Sequence, residues 1–142
     1  LRFSIVHCTD GAAIADILAA EGVTAFSGPT LSDRSKPELR SLSFETPGIL
    51  DRAGVLIGIT TDHPVIPLQY LPLCAALAVR AGMDKKAALR AITINPAKIL
   101  GIDSRVGSLE IGKDADFAVW LGDPLNVMSR PAAVWINGKK EA

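Results

Sequence analysis

The apolar positions of the chain fall into short blocks that alternate between two spacings. Residues 3–7, 23–26 and 55–59 are apolar runs of strand length, and the last has almost no polar member, which is typical of a strand buried on both faces. Between the first two runs, residues 12–21 space their apolar side chains as one helical face and end at a glycine. This alternation predicts parallel strands with helices packed outside them.

Capping signals predict further helices in the middle of the chain. Thr46 is expected to be an N-cap, with Pro47 at the first helical position. Residues 68–81 are apolar enough for a buried helix, and Asp84 is expected to cap the next one. The Asn-Pro pair at 95–96 is expected to interrupt that helix before one more turn.

The pattern changes after Gly101. Several Gly and Asp turns surround short apolar runs, residues 132–136 are an apolar run predicted to form a strand, and Asn137-Gly138 is a strong two-residue hairpin signal. The end of the chain is therefore predicted to be antiparallel β-structure rather than further βα units.

Composition and charge exclude several classes of protein. The chain has 142 residues, with 15 basic against 15 acidic side chains, so it lacks the basic stripe of a nucleic-acid binder and the polybasic segment of a membrane anchor. No apolar run is long enough to span a bilayer. Two cysteines are too few for a disulfide framework, so we expect free thiols in a reducing cytoplasm.

Candidate chemistry lies where the predicted parallel strands end. Ligands meet α/β sheets at the loops that follow the strands, and His7 and Asp62 both lie at such positions. His and Asp are ligands for a divalent ion such as zinc, and an Asp beside metal-bound water can accept its proton. Two alternatives remain: His7 as a hydrogen-bonded structural residue and Asp62 as a turn cap. Two ligands are also fewer than a catalytic zinc site normally has.

Several longer motifs resemble a known family. The segments IVHCTDG, TTDHP, INPAKILG and GSLEIGKDADFAVW occur in that order and are similar to the C-terminal half of metal-dependent amidohydrolases. The imidazolonepropionase-related amidohydrolases are the most similar group. Each motif alone is weak, but in this order they make a specific combination, and the resemblance as a whole extends over nearly the whole chain.

The resemblance implies an α/β fold that is only part of a larger one. It implies the C-terminal part of a (β/α)8 TIM-like barrel, namely the sixth to eighth barrel strands, followed by strands of a small β-sandwich. The corresponding domains are residues 1–104 for the barrel part and 105–142 for the sandwich part. Strands one to five would precede Leu1, since a whole barrel needs about 250 residues.

The resemblance also implies roles for individual residues. His7 matches the metal-binding histidine after the sixth strand. Asp62 matches the aspartate after the eighth, which binds metal and carries a proton from the attacking water to the leaving nitrogen. Substrate contacts are expected from a further set of residues, with a solvated loop charge as the favoured alternative for Lys36 and Arg40: Gly28, Lys36, Arg40 and His63.

The implied function is hydrolysis of carbon–nitrogen bonds in cyclic or linear amides by metal-activated water. The cofactor would be one or two divalent ions, zinc first, with iron or manganese as alternatives. The substrate would be a small amide or lactam, with no nucleic acid and no membrane involved. Because the His-x-His and bridging lysine of the family are absent, we expect the isolated segment to be inactive and to associate with a missing N-terminal half or with copies of itself. The alternative hypothesis is a non-catalytic segment that self-associates or complements a missing N-terminal half.

Overall fold

The computed structural model describes residues 3–142 and contains two separate three-stranded sheets. The first consists of β1 (Ser4–Ile5), β2 (Thr24–Ser27) and β3 (Ile57–Ile59) in that spatial order. Both strand pairs are parallel, with Ser4 opposite Thr24 and Phe26 opposite Gly58. The predicted parallel βα arrangement is confirmed, although β1 and β3 are shorter than their apolar runs and β2 begins one residue later than its run.

Helices connect and cover these strands. A 3-10 turn (Gly11–Ile14) leads into α1, and another (Leu68–Tyr70) leads into α3. The α-helices of residues 3–142 are α1 (Ala15–Ala20), α2 (Thr46–Arg52), α3 (Leu71–Arg80), α4 (Lys85–Ala91) and α5 (Ile94–Leu100). Helices α2 to α5 all contact β3, which explains why every residue of that strand is buried.

Two capping predictions need correction. Glu45, not Thr46, is the N-cap of α2, so Pro47 lies at the second helical position, where its missing N–H is equally harmless. Asn95 does not interrupt a helix: the break falls at Thr93, and Asn95 lies in the first turn of α5. The predicted cap at Asp84 is confirmed, since its carboxylate accepts a hydrogen bond from the Ala87 N–H at 2.8 Å.

The core lies between the parallel sheet and the helices. Leu50 of α2, Ile57 of β3 and Cys74 of α3 are among its largest fully buried side chains. Many of the other members are alanines, which allow helices to approach closely. The buried Asn95 side chain donates a hydrogen bond to the carbonyl of Ile57 at 3.0 Å, so α5 is attached to an edge strand of the sheet.

The second sheet is antiparallel, as predicted for the end of the chain. It consists of β4 (Phe117–Leu121), β5 (Arg130–Ile136) and β6 (Lys139–Lys140). Asn137 and Gly138 both have positive φ, at 51° and 73°, as a two-residue type I′ hairpin requires. Phe117 stacks on Trp135 with ring centroids 4.7 Å apart.

Cys8 and Cys74 are buried free thiols, in agreement with the expected absence of a disulfide. Burial raises the pKa of both thiols. Within residues 3–142, no helix combines the length and the hydropathy that a membrane span requires.

Candidate active site

The carboxyl ends of the three parallel strands are joined by backbone hydrogen bonds. The Gly28 N–H donates to the His7 carbonyl at 3.2 Å, and the Thr60 N–H donates to the Ser27 carbonyl at 3.0 Å. These bonds bring the loops after β1, β2 and β3 to one edge of the sheet. The strand ends that sequence reasoning selected therefore lie together.

His7 and Asp62 meet at this edge. The His7 Nε2 and Asp62 Oδ2 atoms are 3.3 Å apart, with side chains 49% and 40% exposed. The two residues are 55 positions apart in sequence but adjacent in space.

Both residues have an unusual backbone. His7 has φ of 72° and Asp62 has φ of 52°, in the left-handed region that side chains other than glycine seldom adopt. The Asp62 N–H donates to the Thr60 hydroxyl at 3.0 Å, which holds the turn after β3. Such conformations cost roughly 1–3 kcal/mol each and concentrate at functional sites.

Gly28 is required by a close approach between two strand ends. Its φ is 134°, and a Cβ at this position would lie 2.1 Å from the Thr60 carbonyl oxygen. Gly28 is itself buried, so its backbone shapes the edge of the sheet beneath the site.

A cavity of about 210 Å³ opens beside the His7–Asp62 pair. Its wall is formed mainly by the segment after β2. The complete lining is His7, Pro29, Ser32, Asp33, Ser35, Lys36, Glu38, Leu39, Asp62 and Val65.

The other predicted site residues fall into two groups, those that line this cavity and those that do not. Lys36 belongs to it, whereas Gly28, Arg40 and His63 are outside it in the part of the chain that the structure describes. Asp33 and Glu38 were not predicted as site residues. Their one sequence signal is membership of the polar segment 32–43 after the second strand, which does not say which of its side chains face inward.

The donor atoms suit a divalent metal. Two ligands about 2.1 Å from a tetrahedral zinc ion lie roughly 3.4 Å apart, close to the measured 3.3 Å between Nε2 and Oδ2. An imidazole nitrogen and a carboxylate oxygen are also ligand types that zinc takes. Residues 3–142 contain no group of three or more His, Cys, Asp or Glu placed for one ion, so further ligands would have to come from outside this range.

Family comparison agrees with the motifs. The model for the amidohydrolase family matches residues 4–140. The amidohydrolase tasK of Hapsidospora irregularis is 42% identical over 78 residues, which is 55% of this chain and 8% of that protein. The imidazolonepropionase of Pseudomonas syringae pv. tomato is 36% identical over 107 residues, which is 70% of this chain and 25% of that protein.

Solved structures give the same result. An amidohydrolase from Thermotoga maritima superimposes with a TM-score of 0.94 at 42% identity, over 98% of this chain and 36% of that chain. An adenosine deaminase from Xanthomonas campestris with bound Zn gives a TM-score of 0.69 at 29% identity, over 96% of this chain and 36% of that one. The chain thus spans about a third or less of the length of these relatives.

Proposed function

Because the chain belongs to the amidohydrolase family, whose structures have a TIM-barrel-type fold, we propose that it is the C-terminal part of a metal-dependent hydrolase of carbon–nitrogen bonds. The observation that carries this proposal is the 3.3 Å contact between His7 and Asp62 at the carboxyl edge of the parallel sheet. In TIM-barrel enzymes the catalytic residues lie at the carboxyl ends of the barrel strands.

In this proposal β1, β2 and β3 are the sixth, seventh and eighth strands of the barrel. Residues 1–104 are the barrel part and residues 105–142 are strands of a small β-sandwich. The parallel order β1-β2-β3 and the separate antiparallel sheet support this division. The other barrel strands, and with them the other metal ligands, would come from a preceding N-terminal half.

His7 Nε2 and Asp62 Oδ2 are the atoms of this chain that would hold the metal. A bound zinc ion supplies a Lewis acid and lowers the pKa of a coordinated water towards neutrality, and iron or manganese are alternatives. The zinc in the 29% identical adenosine deaminase structure supports a divalent ion.

Asp62 carries the proton in this mechanism. Its carboxylate, 40% exposed and open to the cavity, accepts a proton from the attacking water and delivers it to the nitrogen of the broken bond. Transfer to nitrogen makes the amine a leaving group, so one carboxylate acts as base and then as acid. A positioned group of this kind accelerates a reaction by about 10²–10⁴-fold.

The substrate in this proposal is a small cyclic or linear amide. The cavity of about 210 Å³ has a lining that mixes Pro29, Leu39 and Val65 with polar side chains, so it suits a small molecule with an apolar part. Lys36 in the wall would pair with a substrate carboxylate. Gly28, outside the lining, would act by shaping the strand end beneath the cavity. Arg40 and His63 would contact substrate groups that extend beyond the cavity.

Metal removal tests this function. We expect the protein with its complete barrel to hydrolyse members of a panel of N-acyl amino acids and lactams, and to lose at least 90% of that activity, on the order of tenfold, after treatment with a chelator. Readdition of zinc, iron or manganese should restore it, with magnesium as the control ion. Activity that survives complete metal removal would contradict the proposal.

A non-catalytic, self-associating segment is the second candidate function. Its supporting observation is the edge strand β1, beside which Phe3 is 60% and Val6 is 59% exposed. Unpaired edges of this kind promote association. Sedimentation of the 142-residue chain with and without a separately expressed N-terminal half distinguishes the two: the hydrolase proposal expects a mixed complex with activity, and self-association alone expects multimers that ignore the added half.

A further inference from the structure

One segment of the chain supplies most of the cavity wall. Residues 32–42, hereafter the 32–42 loop, contribute six of its lining side chains: Ser32, Asp33, Ser35, Lys36, Glu38 and Leu39. The loop contains a single 3-10 turn, Pro37–Leu39, and residues 33–38 are exposed to solvent. Its position over the site therefore needs an explanation other than burial.

Most hydrogen bonds of the loop are too local to fix that position. The Ser35 N–H donates to the Asp33 carboxylate, and the Leu39 N–H donates to the Lys36 carbonyl. Such bonds between residues two or three apart set turns but do not join the two arms of the loop.

In the described part of the chain, one hydrogen bond within the loop joins residues that are well separated in sequence, and its donor is Arg34. Its Nη2 donates to the Leu42 carbonyl at 2.7 Å, across eight positions of sequence. The accepting end is anchored, because Leu42 is 7% exposed. A short hydrogen bond from a charged donor is about twice as strong as one between neutral groups. This bond therefore holds the first part of the loop, at Arg34, against the buried Leu42.

Arg34 does not itself line the cavity. Its effect on a bound molecule would therefore pass through the residues on either side of it. Asp33 and Lys36 flank it in the wall, and hydrogen bonds from Ser35 lower the pKa of Asp33. The hydrogen bond from Arg34 to the Leu42 carbonyl thus determines where the Asp33 carboxylate and the Lys36 ammonium group face the site.

We infer that Arg34 is a positioning residue: its hydrogen bond to the Leu42 carbonyl latches the 32–42 loop, and the latched loop governs substrate affinity rather than the chemical step. The affinity part rests on the proposed function, whereas the latch itself does not.

Amide hydrogen exchange tests the latch directly. Arg34→Met removes the donor, Arg34→Lys keeps one, and Arg52→Met is a matched control because Arg52 Nη1 donates to the distant Gly82 carbonyl at 3.2 Å. We expect Arg34→Met to speed exchange in a peptide covering residues 39–42 about tenfold or more. Arg34→Lys should stay nearer to the wild-type rate, and Arg52→Met should leave this peptide unchanged.

Three results would overturn the latch. They are unchanged exchange at residues 39–42 in Arg34→Met, an equal rise in Arg52→Met, and a rise in Arg34→Met that extends to helices α3 and α4. The last would show loss of global stability rather than release of one loop.

Steady-state kinetics of the protein with its complete barrel test the second part of the inference, namely that the latched loop governs substrate affinity. With N-acyl amino acids as substrates, Arg34→Met should raise KM about tenfold and change kcat by less than about twofold, as expected when uniform binding is lost. A fall in kcat at constant KM would contradict the inference. If the wild-type protein hydrolyses none of the panel, the proposed function fails with the affinity claim, and the exchange result still decides the latch.

Discussion

His7 and Asp62 show what the sequence reveals about single residues and what it does not. Their chemistry and their places after apolar strands are visible in the sequence, and these led to the predicted pair. Their positive φ angles are not visible, because the surrounding hydrogen bonds impose them rather than local residue preference. Which neighbours face the cavity was equally hidden, since an exposed loop has no periodicity to indicate its inner side.

Gly28 offers a test of the close packing beneath the site. Gly28→Ala places a methyl group 2.1 Å from the Thr60 carbonyl oxygen at a φ of 134°. We expect the free energy of unfolding to fall by about 3 kcal/mol or more, because both backbone and neighbour must move. Urea unfolding measures this loss.

Gly22→Ala is the matched control for that substitution. Gly22 also has positive φ, at 62°, but a Cβ there meets nothing within 4 Å. Its cost should be about 1 kcal/mol, from backbone conformation alone. Equal losses for the two variants would show that the contact with Thr60 does not matter.

Cys74 offers a test of burial. Desolvation by burial raises the pKa of this thiol. A raised pKa in the folded state favours the neutral thiol, so its contribution to stability is complete below the pKa of the unfolded thiol and declines as pH rises through the folded value.

Urea unfolding at pH 7.5 and pH 9.5 checks this sign. The difference in free energy of unfolding between wild type and Cys74→Val should shift against the wild type at the higher pH, because only the wild type loses this contribution. Comparison with Val removes the effects that the two proteins share. A constant difference at both pH values would refute the assignment.

At the scale of elements, periodicity predicted the parallel strands, most helices and the closing hairpin. Spacing of apolar residues and turn residues such as Asn137-Gly138 determine these locally. The errors concern helix starts, at Thr46 and Asn95. Asn95 was taken for a helix breaker, yet its side chain bonds the Ile57 carbonyl in the core, and a contact across 38 positions leaves no local signal.

Asp84 provides the prediction for a helix start. Asp84→Ala removes the hydrogen bond to the Ala87 N–H and should lower the free energy of unfolding by about 1 kcal/mol. Thermal or urea unfolding measures it. Lys86→Ala, at an exposed position of the same helix, is the control and should change stability by less than about 0.5 kcal/mol. Equal effects would contradict the capping role.

At the scale of the molecule, the parallel sheet has three strands and two edges, and its carboxyl end holds two metal-type donors. A closed barrel would pair both edges and would bring further donors to the same end. The match of one family model to residues 4–140 and the 36% share of the Thermotoga maritima chain support that larger architecture. Sequence patterns predicted a parallel sheet covered by helices, and only the family resemblance implied a barrel, because the number of strands around it depends on pairing partners that these residues do not contain.

The central claim is that Asp62 and His7 belong to one metal-dependent hydrolytic centre. The most direct measurement compares wild type, Asp62→Asn and the control Asp16→Asn, on the exposed side of α1, for kcat with an amide substrate in the protein with its complete barrel. We predict that Asp62→Asn lowers kcat by about 10²–10⁴-fold, because the proton carrier is lost, while Asp16→Asn leaves it unchanged. An Asp62→Asn protein with wild-type kcat would contradict the account.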